Sequence, residues 1–218
     1  QILPQSASAA GQGDAFMAQS DDPSAIYYNP AGMTQLKGVQ LMVGALLVGG
    51  GTNFTNSATG MKSFGDLGGT VSSPPPPHIY LTANLSPLTK VLDLNALERV
   101  TVGVGVFTPF GLKYRWPGDG PLNTSLTLAN LPLMDIRPVI AFKVTEQLSL
   151  AAGADVYTFT DIYGRGHAVT QFQSSGAPGL PPPGTPLEFN GKDTSVGLNL
   201  SLRYTPCLAD GNRPWCSF

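Results

Sequence analysis

Six segments of the chain carry the residue pattern expected of β-strands. In five of them apolar and polar residues alternate with a period of two, which places successive side chains on opposite faces of a strand. The remaining one, residues 38–49, is apolar on both faces and begins the β region. The predicted strands are residues 38–49, 79–86, 100–107, 134–144, 148–157 and 194–203. The pattern therefore predicts an all-β chain.

The two faces of these strands allow two architectures. One face is apolar in every alternating segment, and the other carries charges, amides or glycines. Val102 and Val104, for instance, alternate with Gly103 and Gly105. In a soluble sandwich the polar face meets water and the apolar face meets a partner sheet. In a membrane barrel the apolar face meets lipid and the polar face lines the lumen.

Strand and loop lengths favour the barrel. The longest predicted strands reach about 11 residues, which suits a tilted membrane strand better than a typical soluble one. Long connections at 50–77, 111–130 and 164–191 alternate with shorter ones at 88–97 and 145–147. Outer-membrane barrels likewise have long loops on one side and short turns on the other. We predict a transmembrane antiparallel β-barrel, partial in this chain with about six strands; a soluble β-sandwich is the alternative.

The beginning of the chain does not follow the strand pattern. Residues 11–32 are rich in small and polar residues, and their aromatic residues fit neither a sustained helix nor a strand. Asn29-Pro30-Ala31-Gly32 predicts a turn, because Asn bonds its own backbone, Pro fixes φ and Gly tolerates a positive φ. We predict a hatch at residues 1–37 inside the β structure, a partial barrel at 38–206 and an irregular tail at 207–218.

The low charge of the chain supports an exterior that does not face water. Charged residues make up 12% of the sequence and the net charge is −2, so no nucleic-acid partner is expected. The longest nearly apolar run, residues 39–48, is too short for a membrane-spanning helix. The chain begins at Gln1 without an apolar signal segment, as expected of a processed exported protein or of a fragment. Cys207 and Cys216 could form one local disulfide, and they predict no metal site.

The sequence contains no catalytic constellation and no cofactor motif. His78 and His167 lie in or beside predicted loops, and no nucleophile motif surrounds a serine. Charged residues on the polar strand faces, among them Asp135, Arg137 and Asp155, are expected to pair with one another or to be solvated. The sequence therefore predicts neither an enzyme nor a protein that binds a cofactor or metal.

Three stretches together resemble a known family of outer-membrane transporters. They are Asn29-Pro30-Ala31 in the predicted hatch, the strand 100–106 that runs into Thr108-Pro109-Phe110-Gly111-Leu112, and the segments 138–143 and 148–150. In this order and spacing they are similar to the FadL/TodX (OMPP1) family, which transports long-chain fatty acids and aromatic hydrocarbons.

The resemblance implies a fourteen-stranded barrel whose lumen is plugged by an N-terminal hatch. Hydrophobic substrate is captured outside, enters the barrel and leaves sideways through a gap at a kink in the third strand, by passive movement. The hatch motif and the expected kink are matched by Asn29, Pro30 and Ala31, and by Pro109, Phe110 and Gly111. The residues at 109–111 could instead simply end the strand at a loop. Only six strands are counted, so the chain is expected to be truncated.

A hydrophobic ligand would contact apolar and aromatic side chains of the hatch and of the lumen face. The candidates are Phe16, Met17, Ile26, Tyr27, Phe107, Tyr157 and Phe159. The same residues could simply pack the hatch against the wall.

The predicted function is passive uptake of long-chain fatty acids or other hydrophobic compounds through the outer membrane of a Gram-negative bacterium. The expected partners are the substrate and outer-membrane lipid, and the complete protein is expected to be monomeric. Two other functions stay open from the sequence: a structural or adhesive outer-membrane β protein without a substrate, and a truncated transporter fragment without function.

Overall fold

The computed structural model describes residues 4–72, 74–111, 113–161 and 165–206. The irregular tail predicted at residues 207–218, with Cys207 and Cys216, lies outside the described residues. The strands in the described ranges are β1 Val39–Ala45, β2 Gly49–Thr55, β3 Lys62–Val71, β4 Pro77–Asn84, β5 Val100–Phe110, β6 Lys113–Arg115, β7 Leu128–Asn130, β8 Leu133–Lys143, β9 Leu148–Phe159, β10 Ala168–Gln173, β11 Pro186–Gly191 and β12 Ser195–Tyr204. They form two antiparallel sheets of six strands each.

The first sheet, the wall sheet, contains the six strands that the sequence predicted. Its strand order is β1-β4-β5-β8-β9-β12, and all neighbouring pairs are antiparallel. β5 and β8 have 11 residues each and β9 has 12, a length suited to a membrane-spanning strand. The tight turn predicted between β8 and β9 is present, because the N–H groups of Val144 and Thr145 donate to the Leu148 carbonyl.

The two faces of the wall sheet lie in opposite surroundings. Side chains of the apolar face are exposed: Leu198 is 87% exposed and Leu150 43%. Thr82 and Thr101, on the polar face, are completely buried. A soluble sandwich would bury the apolar face instead. The arrangement therefore confirms the predicted partial β-barrel and contradicts the sandwich.

The second sheet is formed by segments that the sequence predicted to be long loops. Its strand order is β11-β10-β7-β6-β3-β2. Each of its strands directly follows or precedes a wall strand in the chain. The strands that flank two neighbouring wall strands are also neighbours in the second sheet. The second sheet therefore extends the wall on the side of the long connections.

The expectation of irregular loops at 50–77, 111–130 and 164–191 is corrected by this sheet. β6 and β7 have three residues each, too few to show an alternating pattern. β2 begins with three glycines, and glycine is depleted in strands because it has no side chain to pack. Hydrogen bonds to the adjacent strands hold these residues in the sheet.

Helices are confined to short turns outside the two sheets. Those of the N-terminal segment (residues 4–37) are α1 Ala7–Gly11, α2 Ala25–Tyr28 and a 3₁₀ helix at Pro30–Gln35. Those between β4 and β5 are a 3₁₀ helix at Ser86–Leu88, α3 Thr89–Leu92 and a 3₁₀ helix at Asn95–Arg99. No helix in the described ranges has the length and apolar character needed to cross a bilayer.

Short polar side chains begin two helices of the N-terminal segment. The Ser6 hydroxyl accepts a hydrogen bond from the Ala9 N–H at 3.1 Å and caps α1. Asn29 Oδ1 accepts from the Ala31 N–H at 3.2 Å, and Pro30 occupies the first helical position, where no N–H is needed. The turn predicted at Asn29 is therefore the start of a 3₁₀ helix.

Two glycines on the inward face of β5 form a groove that receives the N-terminal segment. A Cβ atom at Gly103 would lie 2.9 Å from both Ile26 Cδ1 and Met33 Sδ, and one at Gly105 would lie 2.8 Å from Ile26 Cγ2. Ile26 and Met33 are completely buried in this groove. Glycine at both positions lets the segment approach the wall this closely.

We expect Gly105→Ala to displace the N-terminal segment, because the added methyl group would overlap Ile26. Overpacking of this kind costs about 1–3 kcal/mol, more than the roughly 0.5–1 kcal/mol by which alanine is favoured over glycine inside a strand. Limited proteolysis should cleave residues 4–37 faster in the variant. Gly197→Ala is the matched control, since a Cβ there would be 3.7 Å from its nearest neighbour. Equal cleavage rates for both variants would contradict the groove.

A charge on the exposed face of the wall should weaken the protein in a bilayer. Leu198→Arg is expected to lower the free energy of unfolding by about 2–4 kcal/mol, the cost of arginine near the bilayer midplane. Urea titration of the protein in lipid vesicles measures this difference. Leu198→Phe keeps the position apolar and should be nearly neutral; equal destabilisation by both variants would show that charge is not the cause.

Candidate functional site

The predicted hatch motif joins the N-terminal segment to β12. The Asn29 side-chain amide donates hydrogen bonds to the carbonyls of Met17 and Leu202, both at 3.2 Å. The Ala31 N–H, in addition to its bond within the segment, donates to the Ser201 hydroxyl at 3.0 Å. The motif therefore contacts the last strand of the wall through both backbone and side chain.

The predicted kink coincides with an irregularity in the pairing of β5 with β8. Phe107 pairs with Asp135 in regular register. Phe110 pairs with Leu133, so β5 has one residue more than β8 between the two pairs. A bulge of this kind bends a strand and interrupts its ladder of hydrogen bonds. Pro109 lies in the interruption and has no N–H to donate.

Gly111 directly follows β5 and has a φ of +140°. A Cβ atom at this position would lie 2.3 Å from the Leu131 carbonyl oxygen. Both the backbone conformation and the close approach therefore require glycine. Pro109 and Phe110 belong to the irregular end of β5, and Gly111 begins the connection to the second sheet.

A cavity of about 490 Å³ lies between part of the N-terminal segment and the end of β5. Seven of the sequence-predicted site residues line it: Met17, Tyr27, Asn29, Pro30, Pro109, Phe110 and Tyr157. Tyr28, Arg137 and the β12 residues Asn199, Leu200, Ser201 and Leu202 complete the lining. The fold thus brings the hatch motif, the irregularity in β5 and three predicted ligand-lining residues to one cavity.

Two other predicted ligand-lining residues pack the N-terminal segment against the wall. Ile26 fills the glycine groove of β5. The Phe107 ring lies between those of Tyr27 and Tyr80, at centroid distances of 5.1 and 5.7 Å. Both residues are completely buried and lie outside the lining of the cavity, which agrees with the packing role that the sequence left open.

The remaining two predicted ligand-lining residues also lie away from the cavity. Phe16 is completely buried within the N-terminal segment, and its ring packs edge-on against Tyr28 at 5.4 Å. Phe159 ends β9 and pairs with Leu133 of β8. Neither position is among the residues that line the cavity.

Arg137 is the site residue whose role the sequence predicted only in part. It forms ion pairs with Asp135, at 2.9 Å, and with Asp155, as the shared polar face predicted. Its Nη1 also donates to the backbone carbonyls of Tyr27 and Ile26, at 3.1 and 3.3 Å. Tyr27 lies 110 residues earlier in the chain, and no sequence pattern signals a contact over that distance.

Tyr28 links parts of the N-terminal segment to one another. Its hydroxyl accepts a hydrogen bond from the Gln5 N–H at 3.0 Å and donates one to Asp14 Oδ1 at 3.1 Å. Burial, the largest cause, raises the pKa of Tyr28 to about 12. The phenol therefore stays protonated at neutral pH and remains a donor.

The cavity offers apolar and aromatic contacts, two side-chain amides, a serine hydroxyl and a guanidinium that is already held by two carboxylates. Within the described ranges, no three His, Cys, Asp or Glu side chains are grouped so that they could hold a metal ion. A pocket with this lining suits the non-covalent binding of an apolar molecule.

Comparison with known proteins gives a family match, a similar outer membrane protein and a solved structure of similar fold. A family model described as "Outer membrane protein transport protein (OMPP1/FadL/TodX)" matches residues 2–206. "Putative outer membrane protein NMB0088" of Neisseria meningitidis serogroup B is 31% identical over 127 residues, which are 56% of this chain and 25% of that protein. The crystal structure of a Pseudomonas aeruginosa FadL homologue has a TM-score of 0.56 and 17% identity, and the match covers 91% of this chain and 48% of that one.

These matches differ in how much of each protein they cover. At 17% identity the likeness to the solved structure shows the fold alone. The chain spans about half the length of that structure and a quarter of the length of the Neisseria protein. The family match, by contrast, covers almost all of this chain. The chain therefore belongs to the OMPP1/FadL/TodX family of outer membrane transport proteins.

Proposed function

We propose that the protein takes up hydrophobic compounds passively across the outer membrane of a Gram-negative bacterium, with long-chain fatty acids or aromatic hydrocarbons as substrates. The N-terminal segment acts as a hatch in the lumen. The substrate leaves sideways at the irregularity in β5, the third strand of the wall. The observation that carries this proposal is the cavity, because its lining combines the hatch motif with Pro109 and Phe110.

The composition of the cavity suits an apolar substrate. The rings of Tyr27, Phe110 and Tyr157 and the side chain of Met17 provide contacts that do not require a polar ligand. Its volume of about 490 Å³ falls within the range of small-molecule pockets, roughly 300–1,000 Å³. Binding there needs only apolar contacts and exclusion of water, so no chemical step on the substrate is involved.

Lateral exit requires a place where the wall can open toward lipid. Unpaired backbone groups are costly in a bilayer, because lipid supplies no hydrogen-bond partner. Proline lowers that cost at Pro109, since it interrupts the ladder without leaving an N–H unpaired. Phe110 lines the cavity and is 38% exposed, which supports a route from the cavity past the end of β5.

Transport through a lumen also requires a closed wall. The wall sheet has open edges at β1 and β12, and an open sheet edge is unfavourable in lipid. The chain covers 48% of the length of the solved FadL homologue. We therefore place the activity in a monomeric barrel that further strands close beyond these residues.

Replacing Pro109 by a strand former should slow uptake. In Pro109→Val an N–H becomes available to extend the ladder between β5 and β8, so opening the wall there would require breaking a further hydrogen bond. One hydrogen bond contributes about 1 kcal/mol net, which corresponds to about a fivefold lower rate. Uptake of a radiolabelled long-chain fatty acid by cells that express the complete gene measures this change, at equal amounts of folded barrel.

Pro138→Val is the matched control for this experiment. Pro138 lies in the middle of β8. Ile136 and Val139 pair with β9, and the two residues between them do not. Pro138 does not line the cavity. Slower uptake in Pro138→Val alone would move the exit to the β8–β9 pair and refute an exit at β5. Absence of uptake in the parent protein, with no lipid co-purified, would favour the structural or adhesive alternative.

A further inference from the structure

We propose that Arg137 is the positioning residue that latches the N-terminal segment to the wall. This inference goes beyond the proposed transport function, on which it rests only for its relevance to uptake. It states which contact with the wall keeps the N-terminal segment in place, and it depends on the geometry around the Arg137 guanidinium.

The wall orients Arg137 from two strands. Its Nη2 donates to Asp135 Oδ2 at 2.9 Å on β8, and its Nε forms an ion pair with Asp155 on β9. The Arg137 side chain is 8% exposed and that of Asp135 is completely buried. Hydrogen bonds between charged groups are stronger than neutral ones, and low solvent access strengthens them further. The guanidinium is therefore held in one orientation before it contacts the N-terminal segment.

The nitrogen that the carboxylates leave available faces the N-terminal segment. Nη1 donates to the carbonyls of Ile26 and Tyr27 in α2. The last carbonyls of a helix have no donor within the helix, so a donor from the wall is suited to this end of α2. The guanidinium also lies over the rings of Tyr27 and Phe107, at 5.7 and 5.0 Å from their centroids.

This position connects the N-terminal segment to the irregularity in β5. Phe107 is the last residue of β5 in regular register before the bulge, and its ring contacts both Tyr27 and the guanidinium. Arg137 also lines the cavity. A segment released from Arg137 would therefore also change the cavity, because Tyr27 lines it as well.

Other hydrogen bonds between the wall and the segment are weaker candidates for a latch. The buried bond that the Tyr80 hydroxyl donates to the Gln5 carbonyl at 3.0 Å is between neutral groups, and a neutral hydrogen bond is weaker than one from a guanidinium. Arg203 of β12 donates to the Ala18 carbonyl at 3.3 Å, but this contact is exposed. The Asn29 amide donates to Leu202 in an exposed contact as well. Water competes for exposed hydrogen bonds and screens their charges, whereas the contacts of Arg137 are shielded.

Arg137 could instead serve only to neutralise the two wall carboxylates, and Arg137→Lys separates the two roles. Lysine keeps the positive charge beside Asp135 and Asp155, but it lacks the planar fork that lets one side chain bond two carboxylates and two carbonyls at once. In the protein expressed from its complete gene, amide hydrogen exchange of residues 25–35 should be at least about tenfold faster in Arg137→Lys. Amides of β4 should exchange at the parent rate.

A second variant guards against a wall that fails to fold. The triple substitution Asp135→Asn, Arg137→Met and Asp155→Asn removes the whole cluster without leaving an unpaired buried charge. It should accelerate exchange at residues 25–35 as strongly as Arg137→Lys or more. Arg203→Met is the control, and it should change exchange in that segment by less than about twofold.

Unchanged exchange at residues 25–35 in the triple variant would overturn the latch, and so would an equal acceleration by Arg203→Met. Because exchange is measured without substrate, this outcome is independent of transport. A parent protein that takes up no fatty acid would refute the proposed function and leave the latch intact.

Discussion

The two faces of the wall sheet require different surroundings, and the rest of the described structure follows from that requirement. One face presents a continuous apolar surface, with Leu198 almost fully exposed, and such a surface is stable against lipid. The other face carries charges and hydroxyl groups, which must be solvated or hydrogen-bonded when they are buried. The N-terminal segment covers this polar face and supplies part of the hydrogen bonding. The inward face of the wall sheet is thus more polar than its outward face, as in a barrel and unlike a soluble sandwich.

The N-terminal segment depends on the wall for its conformation. Its helices have four to six residues, and isolated helices of that length are unstable in water. Buried side chains of the segment, such as Ile26 and Met33, fit against glycines of β5 and not against an interior of their own. The segment is therefore held in place by its contacts with the wall.

The cavity lies near the level at which the wall sheet gives way to the second sheet. The bulge before Phe110 and the left-handed Gly111 fall at this boundary. Strands of the wall continue into the second sheet with short interruptions, so the boundary is the natural place for an irregular ladder. The arrangement places the irregular part of the wall next to the cavity, while the longer regular part of β5 remains paired on both sides.

The sequence by itself determined the six wall strands, the opposite character of the two faces in five of them, and the turn at Asn29, and it left open whether Arg137 pairs with acidic residues or is solvated. A period of two is visible wherever a strand separates two different environments. Every wall strand except β1 does so over eight residues or more. Only the tertiary structure decided that the long connections form a second sheet, because β6 and β7 are too short to carry a period. It also decided that Met17, Tyr27 and Tyr157 line the cavity while Ile26 and Phe107 pack the N-terminal segment against the wall. Aromatic and apolar residues in both groups have the same chemistry, and their roles differ only through contacts between residues far apart in the chain.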